Sequence, residues 1–244
     1  MRKLLIAISF FTRIPFKVDD VSDDEFYESM LLMPIVGLMI GSFLFIFAEF
    51  IHLFRTPIGI KAILILMFYV WLSGGLHIDG FCDTLDGIFS SRNREKMMQI
   101  MKDSRLGAFG AMGLILLFMT IWTCLASGME PIFLVVAPVV GRYCALQSCH
   151  LLPYAQGGGG LGKRITEITE MKHVLIYLVA LMTLAGSLQF YFKINILLPT
   201  TISVIIGLLS AWYIKAKIGG MTGDVIGFTI ELMQAVFLLL AASF

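Results

Sequence analysis

The run Leu31-Leu-Met-Pro-Ile-Val-Gly-Leu-Met-Ile-Gly-Ser-Phe-Leu-Phe-Ile-Phe-Ala-Glu-Phe-Ile-His-Leu-Phe54 decides the fold class. It exceeds the roughly 20 mainly apolar residues that a helix needs to cross a bilayer. Its ionisable side chains, Glu49 and His52, fall near one end and read as interfacial. Six more stretches approach that length: 58–76, 107–127, 132–152, 173–192, 195–213 and 225–243. Glycine and proline inside them (Pro34, Gly37, Gly41, Pro138, Gly141, Pro199) are tolerated in membrane helices, where neighbours re-satisfy the backbone. Of the 244 residues, 58% are hydrophobic and 14% charged, with a mean hydropathy of +0.89. A soluble domain carries roughly a quarter charged residues. The expectation is all-α: a polytopic integral membrane helical bundle, one transmembrane domain over 1–244, with about seven transmembrane helices.

Outward from the spans, Gly74 and Gly75 loosen the end of the second stretch, and Lys193 and Asn195 mark a sharp helical hairpin. The start, MRKLLIAISFFTRIPF, lacks a small-residue cleavage site and is broken by Arg13 and Pro15. Residues 1–17 therefore read as a retained, interfacial amphipathic helix. Cys82, Cys124, Cys144 and Cys149 form no CxxC pair and read as small buried hydrophobes. Net charge is +1 with no long basic block, which argues against a nucleic-acid partner.

Lysine and arginine set the orientation. With the N-terminus inside, fourteen of the 18 fall in inside segments; Arg55, Lys61 and Lys193 lie outside, and Arg142 lies within a span. The expectation is a multi-pass protein of a bacterial or archaeal cell membrane with its N-terminus cytoplasmic. The polar segments 77–106, 153–172 and 214–224 are then cytoplasmic loops that carry the site.

The densest of them opens with Gly74-Gly-Leu-His-Ile-Asp-Gly-Phe-Cys-Asp-Thr-Leu-Asp-Gly87. Asp79, Asp83 and Asp86 stand at i, i+4 and i+7, within about 60° of one another on a helix. Like charges at this spacing repel, more so beside a membrane. A divalent cation would remove that penalty, and hard carboxylate oxygens suit Mg²⁺ or Mn²⁺. Gly80 and Gly87 remove side chains beside the acids, which would let a phosphate approach. His77 reads as a general base, a ligand or an interfacial polar residue. Arg92 to Lys102 reads as an amphipathic surface helix. In Lys102-Asp103-Ser-Arg105-Leu-Gly-Ala-Phe-Gly110, Asp103 and Arg105 suit metal or phosphate, with Asp103 as a helix cap the plainer reading. The run Tyr154 to Gly162 reads as a linker or as a lid that meets an anion. In the last span Asp224 and Glu231 are seven apart and face one way. Glu231 and Arg142 are intramembrane ionisable residues, which default to function with a partner, and their depths permit a mutual contact.

In order along nearly the whole chain, several pieces resemble the cobalamin synthases (adenosylcobinamide-GDP ribazoletransferases): Phe10-Phe-Thr-Arg-Ile-Pro15, Pro34-Ile-Val-Gly37, the 74–87 stretch, Lys102 to Gly110, Gly141-Arg142, Pro153-Tyr-Ala and Gly219-Gly-Met-Thr-Gly-Asp224. Gln156 and Gln234 depart from the pattern, where arginine and glutamate are frequent. The resemblance implies that α-ribazole, or its 5′-phosphate, joins adenosylcobinamide-GDP with release of GMP. It implies Asp79, Asp83, Asp86 and Asp224 as holders of Mg²⁺, and His77 or Asp103 as acceptor of the hydroxyl proton. Arg13, Arg105, Arg142, Gly80, Gly87 and Glu231 are the implied substrate contacts. A homo-oligomer or a complex with neighbouring pathway enzymes is compatible with this. Two rivals share features. A CDP-alcohol phosphatidyltransferase has spaced aspartates, but its further motif residues are missing after Gly87. A cation or metabolite transporter places its acids nearer the bilayer midplane.

Overall fold

The computed structural model describes residues 1–155 and 161–244. Their regular structure is helical throughout. α1 (Arg2–Phe11) and α2 (Asp23–Met30) precede α3 (Met33–His52), followed by α4 (Ile58–Ser73), α5 (Leu76–Phe89), α6 (Arg94–Ile100) and α7 (Ala108–Ala126). α8 (Phe133–Leu151), α9 (Leu161–Ile168), α10 (Met171–Phe192), α11 (Leu197–Ile218) and α12 (Gly223–Ala241) complete the chain.

Five helices, α3, α7, α10, α11 and α12, are long and apolar enough to cross a membrane, and α4 with α5 makes a sixth if that bent pair is one span. The stretch 132–152 forms α8, which falls outside this count. It carries Arg142, Gln147 and His150, and every residue from Phe133 to Cys149 is buried. α3, α10, α11 and α12 surround it, so this more polar rod runs through the centre, shielded by apolar neighbours. Outer faces are apolar and exposed, as at Val179 and Phe190 on α10 and Leu209 on α11, which suits lipid contact. Close backbone approach holds the centre: a Cβ on Gly41 would lie 2.4 Å from the Val135 carbonyl oxygen, and one on Gly141 2.4 Å from that of Ile230.

Of the helix expected over 1–17, residues 2–11 form α1, which buries Ile6, Ala7, Ile8 and Phe11, and residues 12–17 leave the helix. α2 was not legible in the sequence. Ser22 caps it by accepting the Glu25 N–H, and Arg2–Glu25 (3.1 Å) and Lys3–Glu28 ion pairs fasten α1 to it. Lys193 adopts the left-handed φ of 57° at the α10–α11 hairpin, and Gln189 Oε1 accepts the N–H groups of Ile196 and Leu197. All four cysteines are buried and free.

Candidate active site

Gly74 and Gly75 both adopt left-handed backbone (φ 69° and 74°), a conformation that side chains disfavour. This pair turns the chain by 94° between α4 and α5. α5 therefore runs across the end of the bundle instead of through it. The Arg13 N–H donates to Leu72 O at 2.9 Å, and the exposed Arg13 side chain lies over Gly74. α5 then lies directly on the first turns of α12. A Cβ on Gly80 would stand 2.7 Å from Asp224 Cα, and one on Gly227 2.8 Å from His77 O. At Gly87 a Cβ would meet Met101 Cγ at 2.5 Å. The expectation that Gly80 and Gly87 make room for phosphate is thus corrected: α12 and α6 already fill that space.

A cavity of about 190 Å³ opens at this crossing, lined among others by Phe11, His77, Asp79, Ile165 and Asp224. Burial, and then the charges of Asp79, Asp224 and Asp86, push the Asp83 carboxyl up to about 7. Among the described residues no lysine or arginine pairs with Asp79, Asp83 or Asp224. Nor do any three of their His, Cys, Asp or Glu side chains converge into a group that could hold a metal ion. Asp79, Asp83, Asp86 and Asp224 are near enough to feel one another.

Asp86 differs from its neighbours. It is buried, and its two oxygens accept the N–H groups of Gly107 and Gly110, each at 2.8 Å. These are orphan donors at the start of α7, whose own N-cap, Gly107, offers no side chain. The cap that is the alternative reading of Asp103 is supplied by Asp86, from another helix. Asp103 instead binds Arg105 through Nη2 (2.6 Å) and Nε, and that guanidinium holds its carboxyl down at about 2. Arg105 itself is exposed.

On the inner side of α5, His77 is buried with both ring nitrogens unpartnered. Its ring lies 5.6 Å from that of Phe11, and Nδ1 stands 4.0 Å from Glu231 Oε1. Arg142 and Glu231 are fully enclosed and lie beyond ion-pair distance of each other, so the expected direct contact does not form. Arg142 Nη1 donates to Pro138 O at 3.3 Å. Glu231 Oε1 accepts the Tyr69 hydroxyl at 2.6 Å, and Gln234 Nε2 donates to that hydroxyl at 2.8 Å. Enclosure removes Arg142 and Glu231 from direct substrate contact. Tyr69 escaped sequence reasoning; its signal was a phenol deep in an apolar span, whose O–H must find a partner.

The remaining loops meet at the same end. Ala155 N–H donates to Met221 O and Met221 N–H to Pro153 O, both at 2.9 Å, and the Arg94 guanidinium covers Gly219. The lid expected at 154–162 lies largely outside the described residues.

This is a multi-pass membrane protein whose one end carries an acid-lined crossing of two helices. A sequence profile of cobalamin-5-phosphate synthase matches residues 3–242, and the chain belongs to that family. It is 36% identical to an adenosylcobinamide-GDP ribazoletransferase of Acetivibrio thermocellus, covering 98% of this chain and 97% of the relative. Proteins of the same name from Alkaliphilus oremlandii (38% identical, 99% of this chain and 97% of the relative) and Fusobacterium nucleatum (35%, 98% and 96%) are similarly related. No solved structure matches the chain.

Proposed function

We propose that this protein is an adenosylcobinamide-GDP ribazoletransferase acting late in cobalamin synthesis. The family match spans nearly the whole chain, and the observation that carries the chemistry is the uncompensated acid group Asp79, Asp83 and Asp224 at the α5–α12 crossing. In the proposed reaction a ribose hydroxyl of α-ribazole, or of its 5′-phosphate, attacks the cobinamide-linked phosphorus. The new P–O bond forms as the anhydride bond breaks, and GMP leaves with the bonding electrons. Hard oxygens without a counter-charge fit a divalent cation, so Asp79, Asp83 and Asp224 would hold Mg²⁺ or Mn²⁺. Such an ion, when bound, neutralises diphosphate charge and stabilises the leaving phosphate.

The chain's own groups divide the rest. His77, facing the cavity with free ring nitrogens, accepts the hydroxyl proton. Asp103 is the weaker candidate, because it does not line the cavity and its carboxylate is engaged by Arg105. Arg13 is exposed and open to phosphate oxygens, and Arg105, exposed but held by Asp103 through Nε and Nη2, would offer Nη1 to one. Asp86 orders the start of α7, and its two backbone donors leave it the least available of the four acids. The lysine and arginine bias supports a cytoplasmic site, a cytoplasmic N-terminus and seven crossings, with α8 as the shielded one. The bilayer is that of the cell membrane.

The test is GMP release by protein held in nanodiscs with adenosylcobinamide-GDP, α-ribazole 5′-phosphate and Mg²⁺. Release should need both substrates and vanish with chelator. Well-folded protein that releases no GMP refutes the reading.

A further inference from the structure

Five polar side chains from four helices meet inside the bundle behind the acids: Tyr69 on α4, His77 on α5, Arg142 on α8, and Glu231 and Gln234 on α12. Enclosing such groups among apolar helices is unfavourable unless they serve one another or the chemistry. Their hydrogen bonds run in one direction. Gln234 donates to the Tyr69 oxygen, the Tyr69 hydroxyl donates to Glu231 Oε1, and that same oxygen faces His77 Nδ1 across 4.0 Å. A carboxylate gripped by a short phenolic bond has little freedom to turn. The helices that carry His77 and Glu231 are held together, because Gly80 and Gly227 bring the α5 and α12 backbones into contact. Phe11 lies against the imidazole and limits its swing. Arg142 lies within electrostatic reach of Glu231 and supplies a positive charge at this depth. Of the five, only His77 lines the cavity that holds Asp79 and Asp224.

We propose that Glu231, gripped by Tyr69 and Gln234, is a positioning residue that receives the Nδ1–H of His77 and thereby presents a bare Nε2 to the substrate hydroxyl. The inference rests on the transferase reading above. The 4.0 Å separation is longer than a hydrogen bond, and catalytic hydrogen bonds commonly tighten only when substrate arrives. Glu231 touches no substrate and acts through the ring, as outer partners of catalytic histidines do.

The experiment is a double-mutant cycle in nanodiscs. Glu231→Gln should lower kcat by roughly 10- to 100-fold while leaving the KM of both substrates within about threefold. Tyr69→Phe should act in the same direction more weakly. In the His77→Ala background Glu231→Gln should add no further loss, because the ring it positions is gone. A second readout needs no turnover. The ¹⁵N spectrum of histidine-labelled protein, assigned against His77→Ala, should show His77 as the Nδ1–H tautomer, and Glu231→Gln should shift it toward a mixture. Wild-type protein that releases no GMP overturns the transferase reading and this role together. An active wild type with equal losses in both backgrounds, or a His77 tautomer indifferent to Glu231, overturns the positioning role alone.

Discussion

Replacing Asp86 by asparagine should loosen the start of α7 while leaving the cavity acids in place. The carboxylate is 7% exposed and takes one backbone N–H on each oxygen, both at 2.8 Å. Hydrogen bonds to a charged group are each worth about 1.5–3 kcal/mol net, and a buried donor left unsatisfied costs about 1–3 kcal/mol. Asparagine keeps one acceptor and turns an NH₂ toward the other N–H. It also forfeits a negative charge at a helix N-terminus, worth about 0.3–1 kcal/mol. A loss of about 2–4 kcal/mol follows. Asp83→Asn, one turn away, should do the opposite: it relieves repulsion among the acids, so stability holds or rises while turnover is lost. The assay is equilibrium unfolding in mixed micelles of dodecylmaltoside and dodecylsulfate, with hydrogen exchange at residues 107–111 reporting the start of α7. If Asp86→Asn is as stable as wild type yet binds Mg²⁺ more weakly, Asp86 is a metal ligand and the division between anchor and site acids is wrong.

Two further outcomes follow from the same geometry. The Asp83 carboxyl titrates near 7 in the folded protein against 3.8 in a free chain, so the folded state binds more protons across that interval. The penalty from Asp83 is therefore absent below about pH 4, grows as pH rises and is complete above about pH 7. Mg²⁺ should accordingly raise the thermal midpoint more at about pH 8 than at about pH 5; an equal gain at both, or one that survives in Asp83→Asn, argues against ion binding at these acids. Gly80→Ala places a Cβ 2.7 Å from Asp224 Cα and must part α5 from α12. It should cost about 1–3 kcal/mol and abolish GMP release, and full activity in that variant would show that the crossing need not be tight.

The spans were legible because a bilayer demands long apolar runs, and that demand is written in composition. α8 shows where composition falls short. Its stretch was found, but its place at the centre was not, since nothing local says that Arg142 is enclosed by other helices instead of facing lipid. The acids at 79, 83 and 86 were found because a helical period puts them on one face. The period could not reveal that Asp86 belongs to α7, a contact 21 and 24 residues away along the chain. Gly80 does clear a side chain from that face of α5, but what approaches is the α12 backbone. Tyr69 was missed because its partner Glu231 lies 162 residues away, and local pattern has no term for that distance.

These corrections share a physical cause, which bears on how the site works. α5 is fixed on three sides by contacts that carry no mobile charge: the α12 backbone at Gly80, the α7 amides at Asp86, and Met101 at Gly87. Asp79 and Asp83 are what remains of the helix once those sides are occupied. Carboxylates on so constrained a helix cannot relieve their repulsion by moving apart, and Asp83 answers by holding its proton up to about 7. A divalent cation, arriving alone or with a diphosphate, would supply the compensation under the proposed function. Donors held in place before that charge arrives need no reorganisation when it does, which is the condition for effective electrostatic catalysis. The packing glycines therefore set where α5 holds its acids, although none of them need touch the substrate.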